Sequence, residues 1–268
     1  MRQFYFSKIF LFYLFFTIIF IANCTNYDIT DPGPQPIHLE DVEHQPKLNV
    51  LGILRPDSAN SAPLSFIHIE GSCPINDIPD SSIIPDAEVK VIKFGENSPV
   101  DTSVFIYTDL GNFPTNEYRN SSFFPGQGTY QLICKKDGYP TLTAQATIPA
   151  IPQIEEGTLK LQKNTLAFKI NRDEDVGLYE VTLQGKGWLV KDRFLRPTRG
   201  NIAVEFSLIG IPKGESFFKI FAFDNNLSEY FTVNLSIKPN IYQKDFSTVE
   251  NGFGSFGALN IFEMEIDL

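Results

Sequence analysis

Apolar residues recur at every second position through Gly126 to Pro149: Tyr130, Leu132 and Cys134 first, then Leu142, Ala144, Ala146 and Ile148. Successive side chains of a strand point to opposite faces, so this period predicts two strands with one buried face each. Lys135-Lys136-Asp137-Gly138 lies between the runs, and Asp-Gly in that setting predicts a hairpin. A hairpin that buries one face needs a second sheet to cover it, which gives a β-sandwich.

The same period marks strands upstream at Leu48 to Leu54, Ser65 to Gly71, Ala87 to Ile92 and Val104 to Thr108. In the second of these Ile67 and Ile69 share one face and His68 falls on the other, pointing outward. Asp109 to Gly128 shows no period and reads as a long irregular loop; such loops are often functional. Its Tyr118 and Arg119 are of types enriched at interfaces and are the candidate partner contacts. Ile148-Pro149-Ala150-Ile151-Pro152 then predicts a stiff extended junction. Beyond it, Leu159/Leu161, Leu166/Phe168/Ile170, Tyr179/Val181/Leu183, Ile202 to Leu208 and Phe217 to Phe223 predict a second antiparallel unit. Asn226-Leu227-Ser228-Glu229 has the form of a helix N-cap, and Leu227, Tyr230 and Phe231 then fall on one helical face. Alternation of Phe231, Val233, Leu235 and Ile237 fits a strand as well; the cap favours a short helix packed on the sandwich.

Composition changes the picture most at the N-terminus. Arg2 and Lys8 precede an apolar run from Ile9 to Ala22, and no acidic residue occurs before Asp28. A charged start followed by roughly 7–15 apolar residues is a secretory signal, too short for the roughly 17–25 that span a bilayer comfortably. Phe20-Ile21-Ala22-Asn23-Cys24 resembles a bacterial lipobox, in which Cys24 would carry the lipid; Asn23 departs from the Gly, Ala or Ser usual before the cysteine. Residues 1–23 are thus expected to be a lipoprotein signal peptide. Residues 24–46, rich in Pro, Asp and Gln, are expected to be a flexible tether in which His38 and His44 are solvated. Loss of 1–23 takes the net charge from −10 to −12. Such a chain is unsuited to nucleic acid and has no electrostatic pull toward anionic lipid, so membrane attachment would rest on acyl chains.

Cys73 and Cys134 make an even pair in an oxidising compartment and are a disulfide candidate, weighed against the common role of Cys as a small buried hydrophobe. Asn171 to Gly177 carries Asp173 and Asp175 but lacks the distal bidentate Glu of a calcium loop, and reads as an acidic hairpin turn. Gly252-Phe253-Gly254-Ser255-Phe256-Gly257 spells GxGxxG without the following helix or distal acid of a dinucleotide site; its glycines are expected to permit tight turning. The three histidines form no nucleophile–base–orienter set, so neither catalytic residues nor metal ligands nor a cofactor are assigned.

Two resemblances add to this reading. Pro85 to Val91, Gly128-Thr129-Tyr130 and Asp137-Gly138-Tyr139 are similar to the carboxypeptidase-regulatory or prealbumin type of β-sandwich, which implies a small non-catalytic Ig-like module over 47–150. Ser247 to Gly257 resembles the closing motif of a Bacteroidetes lipoprotein family, domain of unknown function 4249 (DUF4249). Leu48 to Gly52, Leu178 to Val181 and Leu227 to Phe231 resemble it too. The fold expected is therefore all-β: two antiparallel Ig-like β-sandwich units in tandem, over 47–150 and 151–268, with a short helix near the C-terminus. The family resemblance implies a lipid-anchored outer-membrane lipoprotein that binds or assembles without catalysis, accessory to a TonB-dependent receptor. A surface adhesive or structural lipoprotein is the alternative of a different class.

Overall fold

The computed structural model describes residues 45–56, 64–73, 82–95, 98–109, 116–196, 199–233 and 247–268. The signal peptide, Cys24, the tether and its two histidines lie outside the described residues.

The chain is all-β and forms two sandwiches. In the first, β1 (Leu48–Leu54), β2 (Phe66–Gly71), β3 (Glu88–Phe94), β4 (Pro99–Asp109), β5 (Asn116–Arg119), β6 (Gly128–Lys135) and β7 (Leu142–Ile148) make two layers. Strand β4 belongs to both: its first part pairs with β3 and Ile106–Asp109 pair with β5. One layer therefore runs β1–β2–β5–β4 and the other β4–β3–β6–β7. Alternation dictates what lies between them. Leu48, Val50, Ile67 and Ile69 from one layer meet Val89, Val91, Leu132, Cys134, Ala144 and Ala146 from the other in a single core. Each fully buried aliphatic side chain there stabilises the fold by about 1.5–3 kcal/mol.

The second sandwich sets three strands, β8 (Lys160–Gln162), β9 (Thr165–Ile170) and β12 (Ile202–Ser207), against a layer of β10 (Val176–Gly185), β11 (Trp188–Leu195), β13 (Glu215–Asp224) and the last strand, β15 (Gly252–Asp267). Leu166, Phe168 and Ile170 face Tyr179, Val181, Phe218 and Ile220 across its core. A helix, α1 (Asn225–Val233), covers the outer face of the four-strand layer, where Leu227 packs on Leu178, Phe223 and Leu259. The strand alternative for this segment is not adopted over the described residues.

Strand β15 is shared. Its Gly252–Ala258 pair in parallel with Leu48–Leu54 of β1, and its Leu259–Asp267 pair antiparallel with β13. Phe256 and Ala258, fully buried, belong to the core of the first sandwich, as does Val249 of the short β14 (Val249–Glu250). Segments that follow the Pro-rich junction in sequence thus complete the sandwich that precedes it, and Gln45–Leu268 form one compact unit. The glycines of the closing motif work by close approach within a strand rather than by turning it. A Cβ on Gly254, whose φ is +102°, would fall onto the Val50 carbonyl. One on Gly257 would lie 2.6 Å from Asp224 Oδ1 and 3.0 Å from the Leu227 nitrogen.

Candidate functional site

The most heavily built place in the molecule is the outer edge of β7, where the second half of the chain meets the first. A strand edge presents unpaired N–H and C=O groups, and each that is buried without a partner costs about 1–3 kcal/mol. Strand β14 covers only Thr143 and Ala144 by pairing with Glu250 and Val249. Side chains cover the rest. Asn251 Nδ2 donates to the Thr141 carbonyl (3.2 Å), Asn226 Nδ2 to the Gln145 carbonyl (2.6 Å) and Asn260 Nδ2 to the Pro149 carbonyl (2.9 Å). The Thr147 N–H is taken by the Asp224 carboxylate. Asn226 Nδ2 also donates to the Phe256 carbonyl of β15 (2.9 Å). Asn251 holds φ +59°, a left-handed conformation that Asn tolerates better than most residues.

Asp224 is the hub of this joint. It ends β13, is 3 % exposed, and its Oδ1 accepts the Leu227 N–H (2.9 Å), which makes it the N-cap of α1. The cap is two residues earlier than the Asn226 motif suggests, because Asn226 is turned away from the helix to bridge β7 and β15. Backbone N–H groups of Ala258, Thr147 and Asn226 also reach the carboxylate. Burial pushes its pKa up to about 7 even though these donors favour the charged form.

Surface hollows lie elsewhere among the described residues. A cleft of about 350 Å³ beside the Pro-rich junction is lined by Ile151, Pro152, Asn171, Arg172, Asp173 and Tyr179. Asp173 Oδ1 accepts the Asp175 N–H (2.9 Å) and the Asp173 N–H donates to the Tyr179 hydroxyl (3.1 Å), so the acidic segment caps its own turn. That turn is not a hairpin, since β9 and β10 lie in different layers. Arg172 Nε, of the cleft lining, and Arg196 Nη1 are buried without a hydrogen-bond acceptor. A second hollow of about 200 Å³ lies at Lys93, Asp101, Ser103, Phe123, Phe124 and Tyr130. Among the described residues no three His, Cys, Asp or Glu side chains converge as a metal site.

The residues singled out from the sequence are not brought together. Tyr118 is a core residue, 2 % exposed, and no partner contact. The segment read as loop contains β5, and strand alternation turns the Tyr118 ring inward against Tyr107. Its hydroxyl donates to the Ile84 carbonyl (2.6 Å) and accepts from the Ala87 N–H (2.8 Å), and burial pushes its pKa up to about 12. Arg119 is half-buried, bonded to Glu117 (2.5 Å) and placed over the Phe66 ring. Cys73 and Cys134 are not bonded. Cys134 is at 0 % exposure near the end of β6, its pKa pushed up to about 12 by burial, whereas Cys73 is exposed past the end of β2. The residues that build the joint, Asp224, Asn226, Asn251 and Asn260, left only faint traces in the sequence, of which Asn260 interrupting an apolar strand is the clearest.

No family model matches the chain, and no curated protein matches it. Among solved structures the chain is similar to the FN1-FN3 domains of chicken CNTN1, at 12% identity and a TM-score of 0.26. That match covers 82% of this chain and 62% of the other.

Proposed function

We propose that the chain is a lipid-anchored envelope protein that acts as a non-catalytic binding or assembly module, accessory to a TonB-dependent outer-membrane receptor. The observation that carries this reading is the sealed joint. Two sandwiches that share a strand and a polar seam make a stiff platform, and stiff platforms are suited to presenting loops to a partner. The charged start, the apolar run and Cys24 supply the export signal and anchor, and the Pro-rich stretch supplies the reach from the bilayer. More than one acyl chain, at about 0.8 kcal/mol per buried methylene, gives stable attachment.

The receptor partner and the outer-membrane address come from the family resemblance of Ser247 to Gly257 and its companion segments. These segments are neighbours in space: Leu48 to Gly52 pair with Gly252 to Phe256, and Leu178 packs on Leu227. The resemblance therefore follows the joint rather than any pocket.

The test is metabolic palmitate labelling with fractionation of the parent and of Cys24→Ser, followed by affinity purification from membranes. Label on the parent alone, membrane loss in Cys24→Ser and recovery of a TonB-dependent receptor are expected. Equal membrane partitioning of both forms without label would overturn the anchor; turnover of an ester or glycoside substrate would overturn the non-catalytic reading.

A further inference from the structure

In the cleft beside the Pro-rich junction a guanidinium lacks an acceptor. The segment after β9 is tied to the end of the second core by Tyr179, whose hydroxyl donates to the Asn171 carbonyl (3.4 Å) and accepts from the Asp173 N–H (3.1 Å). Between those two residues, Arg172 lines the cleft. A guanidinium is a planar fork of N–H groups, and Nε with Nη2 form the side-on pair that grips a carboxylate. In Arg119 that pair is filled, since Nε and Nη2 both donate to Glu117 Oε2 (3.0 and 2.5 Å). In Arg172 it is not. Nη2 stands 3.4 Å from Oε1 of Glu174, whose side chain is 83 % exposed, and Nε is buried with no acceptor. An ionised donor buried and unmet is costly.

A second cation stands close by. Val190 and Phe194 of β11 face the second core, and the strand period carries Arg196 to the same side. Its N–H donates to the Gly177 carbonyl (3.0 Å), which extends the β10–β11 ladder to that position. Its Nη1 is likewise buried and unmet among the described residues. Burial raises the pKa of the Tyr179 hydroxyl, and the Arg196 and Arg172 charges act on that hydroxyl in the opposite sense, so both lie near it. The acidic neighbours do not cancel them. Glu174 and Asp175 are exposed, where water weakens their pull, and Asp173 Oδ1 is taken by the Asp175 N–H.

We propose that this cleft binds a small monocarboxylate bearing an apolar group, with its carboxylate seated in the Nε–Nη2 fork of Arg172. The inference goes beyond the function proposed above and depends on neither the lipid anchor nor a receptor. The side chain of Arg172 keeps 29 % of its surface exposed, so an entering oxygen meets Nη2 and reaches Nε by a small turn of the guanidinium plane. A single negative charge suits the site, because a dianion would also face Asp173 and Glu174 in the same lining. The apolar part of the ligand lies against Ala150, Ile151 and Pro152, and it covers Ile151, now 57 % exposed. A volume of about 350 Å³ falls at the small end of ligand pockets, which limits the ligand to a small acid. Glu174 competes with that acid for Nη2 and is no part of its site.

The full chain in detergent is titrated with hydrocinnamate, hydrocinnamamide and acetate, and the arginine Nε–H groups are followed by NMR. The Arg172 signal is the one missing from Arg172→Lys. Hydrocinnamate should move that signal saturably, while the amide, which has no charge, should leave it in place. Acetate, which has nothing to lay against Ile151, should bind more weakly. Arg172→Lys keeps the charge and loses the fork, so calorimetry should show hydrocinnamate binding weakened about tenfold or more. Glu174→Gln removes the competitor and should tighten binding about two- to fivefold, a gain that a damaged fold does not produce. No saturable movement with hydrocinnamate would overturn the proposal. So would equal binding of the amide, equal binding of acetate, unchanged affinity in Arg172→Lys, or weaker binding in Glu174→Gln.

Discussion

Along β7, backbone groups at Thr141, Gln145, Thr147 and Pro149 are met by Asn251, Asn226, Asp224 and Asn260, and a two-residue strand meets those between. Along β4, at the opposite edge of the same layer, a single amide from Asn120 meets the Val104 carbonyl and apolar side chains stand in solvent. The difference shows two ways to finish a sheet. Polar side chains can replace a neighbouring strand group by group, at the cost of burying a carboxylate. The other edge is instead interrupted by a bulge at Val100 and left to solvent.

The comparison can be broken first at the shared strand. Phe256→Ala removes a fully buried ring that β15 lends to the first core, and a loss of about 3–5 kcal/mol is expected in chemical denaturation. A loss near zero would mean that the joint does not complete the first sandwich. Next is Asp224→Ala, which strips the cap of α1 and orphans the Thr147 and Ala258 N–H groups, with an expected cost of about 2 kcal/mol or more.

The same carboxylate sets a pH dependence. Its pKa is about 7 folded against an ordinary value of 3.8, so the folded state holds the proton more tightly. Its contribution to stability is complete below about 4 and is lost as pH rises through about 7. Melting temperatures of the parent should therefore fall over that window, and those of Asp224→Asn should fall less. Asn226→Ala, which removes one amide serving two carbonyls, should cost about 1–2 kcal/mol by the same melts.

How much of this was legible follows from how local each signal is. Alternation in β6 and β7 is carried by neighbours in sequence, and the buried faces Tyr130-Leu132-Cys134 and Leu142-Ala144-Ala146-Ile148 lie where the period places them. Strand β4 was read short because Val100, Val104 and Ile106 are apolar on the solvent side, so its period is blurred. Tyr118 was read as a contact because β5 is only four residues long, below what a period can show. The joint was hidden for another reason: its pairs Leu48↔Gly252 and Leu54↔Ala258 join the two ends of the folded unit, and single Asn side chains carry no periodic signal. The glycines of the closing motif were visible, but their reason, the Val50 carbonyl and Asp224, was not.

The shared strand also orders events during synthesis. Domains usually fold from the N-terminus as the chain emerges. Here the first sandwich waits for Val249, Phe256 and Ala258, which follow all of β8 to β13 in the sequence. Until those residues have left the ribosome, β1 lacks one neighbour and the first sandwich stays open, so the second core can close before the first.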